Sequence, residues 1–177
     1  MGEFDPRAII GRLEGTPDAL STLLAPLSDA DVRWKPAPEH WSILEVCCHL
    51  LDEEREDFRV RLRSTLDDPA RVWPPLDLER VAERRGYNTR HLKPTLDAFA
   101  AERRDSIAWL RSVLSTFANT DWSRAYDHNR FGPMHAGMLL ASWAAHDALH
   151  LRQIARRLHE LAQRDSGDWG VRYAGDW

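Results

Sequence analysis

No stretch of this sequence alternates apolar and polar residues in the way a half-buried strand requires, so a sheet is not expected. Cysteine is nearly absent. The two that occur, Cys47 and Cys48, are adjacent. Neighbouring cysteines cannot close an ordinary structural disulfide, so the fold does not depend on one. Both read as buried, inert thiols. No apolar run reaches the ~18 residues that a membrane-spanning helix needs. Glu3, Asp5, Pro6 and Arg7 interrupt the first residues, which excludes a secretory leader reading. Arginine is abundant but alternates with acids, as on solvated helix faces, and the net charge is −4. A nucleic-acid partner would leave a sustained basic stripe, and there is none. Together these absences predict a cytoplasmic protein with neither a nucleic-acid nor a membrane partner.

What remains is ordinary globular composition, 43% hydrophobic and 29% charged over 177 residues. That length suits a single domain, residues 1–177, with a real core. Eight tryptophans are an unusual load and suggest pocket walls. Asp5-Pro6 reads as a cap and first helical residue, opening a helix to about Leu24 with a kink near Pro17. Ser28 to Val32 reads as a short capped turn. Ser42 and Glu45 form a capping box that opens a second helix, from about Ile43 to Leu66. A long connection from Asp67 to Thr89 holds a short helical piece around Leu78 to Arg85. The third helix runs from about Lys93 to Phe117, and an irregular stretch covers Asn119 to Pro133. The fourth helix runs from about Met134 to Arg164. The tail 165–177 is irregular, and Trp169, Tyr173 and Trp177 suggest that it packs down. Four long amphipathic segments predict an all-α four-helix bundle. The connections are longer than simple hairpins need, so plain up-down-up-down topology is not required.

Within the fourth helix, His146 and His150 are four residues apart and share one face. That spacing lets both imidazoles reach one metal ion. By itself it is a pattern chance often produces, and a third ligand would make it specific. His49 is the best candidate, beside the apolar face of the second helix. Three protein ligands with open positions are the mark of a catalytic metal site rather than a structural one. Glu45, Asp52 and Glu53, near His49, and Gln153, three residues past His150, are placed to orient an imidazole through its other nitrogen. His135 lies too far along the helix to share the ion. His40, His91, His128 and His159 have no partner spacing and read as surface residues.

The stretches Trp41 to Val46 leading to His49, Trp73-Pro74 to Tyr87-Asn88, and Trp143 to Ile154 together resemble the DinB/YfiT-like superfamily of metalloenzymes. The resemblance covers nearly the whole chain. It implies a four-helix bundle of that superfamily's own connectivity. It also implies a divalent metal, nickel or zinc, held by His49, His146 and His150. The superfamily includes transferases and an isomerase that work with low-molecular-weight thiols. The resemblance leaves the reaction open, and the leading expectation is thiol-dependent S-transfer, with a low-molecular-weight thiol, to a small electrophilic molecule. Metal-dependent hydrolysis, or a non-catalytic metal-binding role in stress, are the alternatives. Arg55, Trp143 and Arg152 are the candidates for contacting substrate, and no residue is singled out as acid, base or nucleophile. The resemblance further implies a homodimer.

Overall fold

A computed structural model describes residues 3–76, 79–116 and 120–175. Its frame is four long helices, the second of them in two pieces. Helix α1 spans Pro6–Leu24, α3 Ile43–Glu56 with α4 Phe58–Asp67 directly after it, α6 Leu92–Thr116 and α7 Ala136–Asp165. Two short helices, α2 Asp29–Arg33 and α5 Val81–Arg84, lie in the connections. Helix α1 packs on α6 and α7, and α3 with α4 also packs on α6 and α7. The first two long helices therefore stand at opposite corners, which is why the long connections are needed. Among the described residues no helix is long and apolar enough to cross a membrane.

The helix starts follow local chemistry. The Asp5 carboxylate accepts from the Ala8 N–H at 3.0 Å, with Pro6 at the first helical position. Ser28 with Asp31, and Ser42 with Glu45, each form a reciprocal capping box. Each box contributes on the order of 1 kcal/mol.

Helix α1 runs through Pro17 without ending. Proline has no N–H, so the Leu13 carbonyl loses its helical partner. Arg103 on α6 fills that vacancy, donating from Nη1 to Leu13 O at 2.7 Å.

Four expectations need correction. The second long helix is not continuous from Ile43 to Leu66: Asp57 leaves helical geometry, at φ −116° and ψ −92°. Aspartate is a weak helix former because its carboxylate competes for local partners. Here it pairs with Arg61 at 2.7 Å. The stretch expected to be irregular holds an antiparallel hairpin, strands β1 Ala125–His128 and β2 Gly132–His135. Strands of four residues are too short to show an alternating pattern. The hairpin also takes Met134, so α7 begins at Ala136. His128 is no idle surface group: its Nδ1 accepts from the N–H groups of Arg130 and Phe131, at 3.1 and 3.3 Å, and holds the turn. Finally, the described part of the tail, 166–175, does not pack down. It forms two 3₁₀ turns whose aromatics, Trp169 and Tyr173, are 94% and 106% exposed. Gly167, Gly170 and Gly175 all adopt positive φ and break this segment into short turns. The expectations at Leu78, Phe117, Asn119 and Trp177 fall outside the described residues.

The core has two parts. One gathers Leu20, Leu24, Ile43, Leu50, Phe99 and Ile154, the other Ile10, Leu13, Leu62, Leu110, Leu140 and Trp143. Along every long helix the switch from one part to the other falls beside a buried polar group: the Leu13 carbonyl, Glu54, Arg103 or Asp147. The bundle therefore has an ionic waist between two apolar layers.

Candidate metal centre

Helix α3 is buried from Ile43 through Glu54 without interruption. An enclosed helix must find partners for every polar side chain it carries. Helix α3 carries Glu45, His49, Asp52, Glu53 and Glu54, and their partners define the site.

His49 faces His146 and His150. Each ring offers one nitrogen to a set whose members all lie within 4.8 Å of one another, and among the described residues this is the one such group of three. Nε2 of His146 and Nε2 of His150 are 3.1 Å apart. Metal–imidazole bonds of about 2.0–2.1 Å would put tetrahedral ligand nitrogens roughly 3.3 Å apart, so the spacing of this pair fits a shared ion, and His49 lies close enough to complete the set with a small adjustment. The ring centroids stand 4.8 Å apart for His49 and His150, 5.5 Å for His49 and His146. Trp41 sets its edge against His49 at 5.0 Å, and Phe58 lies 5.1 Å from His146. The break at Asp57 redirects α4 so that its first residue, Phe58, also stacks on Trp143 at 5.9 Å.

Protonation favours ligation. Burial holds the His49 imidazole down to about 3, and the His150 and His146 rings add to the effect. Burial and His150 hold His146 down to about 4. His150 is lowered too, chiefly by burial. Neutral rings keep the lone pair that a metal needs.

The surrounding candidates divide cleanly. Gln153 Oε1 lies 3.0 Å from His150 Nδ1, which leaves Nε2 for the metal. Glu53 Oε1 lies 3.8 Å from His49 Nδ1, near but beyond a hydrogen bond. Burial and the adjacent Asp57 push Glu53 up to about 8. Glu45 is turned away, accepting from Ser42 N and pairing with Lys35, both at 2.8 Å. Asp52 is turned to the Tyr87 hydroxyl at 2.5 Å and to Arg85 at 2.6 Å. Arg55 is exposed and engaged with Glu102 at 2.8 Å, and Arg152 is exposed on α7. Trp143 is buried and donates its indole N–H to Glu54 at 3.1 Å. Arg55 and Trp143 are thus engaged with acidic partners, while Arg152 faces solvent. Burial pushes both thiols up, Cys48 to about 11, in keeping with inert cysteines.

A recess with room for about one water molecule lies beside His49, walled by Asp52, Glu53, Glu56, Arg85 and Tyr87 with Leu76 and Val81. Arg85 bridges Asp52 and Glu56, with both Glu56 contacts at 2.7 Å. Arg85 and Tyr87 lie in the long connection, where spacing carries no information about side-chain direction. The second group missed was Glu54, Arg103 and Asp147. Its signal was available: Arg103 falls on the apolar stripe of Phe99, Ile107 and Leu110, where a charge needs a reason.

A family model for the DinB superfamily matches residues 12–154. Among solved structures, the chain is similar to YfiT from Bacillus subtilis, described as a probable metal-dependent hydrolase with an unusual four-helix bundle topology. The two share 17% identity and a TM-score of 0.78 over 92% of this chain and 90% of that one. Likeness at that identity establishes the four-helix fold. No curated protein matches.

Proposed function

The chain belongs to the DinB superfamily, and on that footing we propose that it is a divalent-metal-dependent enzyme acting on a small molecule. One observation carries the reading: three neutral imidazoles from two helices converge within 4.8 Å. His49, His146 and His150 would hold the ion, and nickel and zinc both suit an all-imidazole set. When bound, such a metal lowers the pKa of a small nucleophile until it ionises near neutral pH.

The chain's own residues supply the rest. Gln153 fixes the ring orientation of His150. Trp41 and Phe58 wall the imidazoles on two sides and limit water. The recess beside His49 has room for about one water molecule, with carboxylates and a guanidinium on its polar wall.

Hydrolysis is the first reading, and the description of the structurally similar YfiT supports it. Thiol S-transfer, the leading expectation from the sequence, is the second. A single experiment separates them. Protein purified without chelator is assayed for bound metal, then loaded with Zn²⁺ or Ni²⁺. The loaded protein is offered ester and amide substrates, and monochlorobimane with bacterial thiols. Metal-dependent hydrolysis that is lost in His146→Ala supports the first reading, and metal-dependent conjugation supports the second. Failure to bind either metal overturns both.

A further inference from the structure

Three buried charged residues lie beside the histidines, and the metal reading does not use them. Arg103 is 2% exposed, Glu54 1% and Asp147 3%. The guanidinium grips Asp147 with both arms, Nη1 to Oδ2 at 2.6 Å and Nη2 to Oδ1 at 3.1 Å. It also meets Glu54 Oε2, from Nε at 3.0 Å and Nη2 at 2.9 Å. Its last contact is the Leu13 carbonyl that Pro17 leaves free, at 2.7 Å. One side chain on α6 thus takes a partner from each of the other three long helices.

Such a network is a costly way to gain stability. Burying ions removes their hydration, and apolar side chains of similar volume often do as well or better. What a fork of directional bonds adds is a unique alignment of the elements it joins. Here the elements are the two that carry the ligands. Glu54 stands five residues after His49 on α3, and Asp147 directly follows His146 on α7. A slip of one residue along α7 moves it by about 1.5 Å and turns it by about 100°. Either change would carry His146 and His150 away from His49. The network also returns to the site by a second route. The Trp143 indole that donates to Glu54 stacks on Phe58, and Phe58 packs against His146.

We infer that Arg103 is a positioning residue for the metal centre: by clamping Glu54 and Asp147 together it sets α7 against α3 in the register that joins His49 to His146 and His150. The inference rests on the metal reading of those histidines.

The test uses Co²⁺ as the probe, read by its visible absorption bands and by titration, beside far-UV circular dichroism and thermal melting. Arg103→Lys keeps the charge and loses the fork. The triple variant Glu54→Gln, Arg103→Met, Asp147→Asn removes the buried charges while keeping the shapes. Both are expected to keep a helical spectrum and a cooperative melt. Both are expected to bind Co²⁺ about 10-fold or more weakly, with shifted bands, and the triple variant to be the weaker binder. A folded lysine variant with wild-type affinity and spectrum would overturn the role of Arg103. Absence of Co²⁺ binding by the wild-type chain would instead overturn the metal centre, so the two failures are distinguishable.

Discussion

Gln153 holds His150 from behind: its side-chain oxygen sits 3.0 Å from Nδ1, while Nε2 of the same ring stands 3.1 Å from His146. The amide therefore decides which nitrogen of His150 carries the proton and which is free. Gln153→Ala removes that orientation without touching a ligand atom. Zinc affinity measured by competition with a chromophoric chelator should fall about 10-fold, within the usual range for partners of ligating histidines. Unchanged affinity would show that His150 is oriented by packing alone.

Arg85 fastens the segment that carries Val81 and Tyr87 onto α3, through Asp52 and Glu56. Two residues in left-handed geometry, Arg80 at φ 48° and Gly86 at φ 59°, flank α5 and Arg85 within it. Arg85→Ala should loosen the wall of the recess and leave the ligands in place. Zinc extraction by EDTA should then run several-fold faster, with equilibrium affinity within about 10-fold of wild type, since none of the ligands or their direct partners is removed. Equal extraction rates would mean that metal leaves by another path.

The pH dependence of the metal-free protein follows from two opposed shifts. His49 and His146 sit at about 3 and 4 in the folded chain, against 6.5 when unfolded. As pH falls below 6.5 the unfolded chain gains protons that the folded one refuses, so stability is lost on the acid side. Glu53 is pushed up to about 8 against an ordinary 4.5, so its contribution is lost as pH rises from 4.5 through 8. More groups act on the acid limb, because His150 is lowered as well. Melting temperature should therefore peak near pH 6.5 and fall more steeply toward acid. In the double variant His49→Gln, His146→Gln the acid limb should flatten. An acid limb of wild-type slope in that variant would assign it to other groups.

The exposed tail makes a plain prediction. Trp169→Ser and Tyr173→Ser remove side chains that are 94% and 106% exposed, so the melting free energy should stay within about 0.5 kcal/mol of wild type. A larger loss in either variant, measured by urea denaturation, would place that ring against the fold in solution.

Much of the bundle was legible because helices announce their ends chemically. Asp5 and Ser42 each cap a helix where they were expected to, and the capped turn expected from Ser28 is a short helix. The histidines were legible as a set because two of them share a helix face and the third lies on another apolar face. What could not be read depended on partners distant in sequence. Nothing local says that Asp52 turns to Tyr87 rather than to a histidine, since the deciding hydroxyl is 35 residues away. The Asp57 break was hidden for a different reason: the residues on both sides of it favour helix, and one aspartate rarely ends one. The hairpin was hidden by brevity. The tail misled because aromatic content alone does not say where a ring packs.

The ionic waist has a consequence for how the molecule breathes. Among the described residues the buried apolar side chains above Arg103 form one cluster and those below it another, so the two layers can lose their packing separately, as two cooperative opening units in series. Amides of Leu50 and Phe99 should exchange deuterium together, and those of Leu62 and Leu110 together on another timescale. His49, His146 and His150 stand where the two units meet. A ligand held there would tie one opening to the other, and both sets of amides would slow in step.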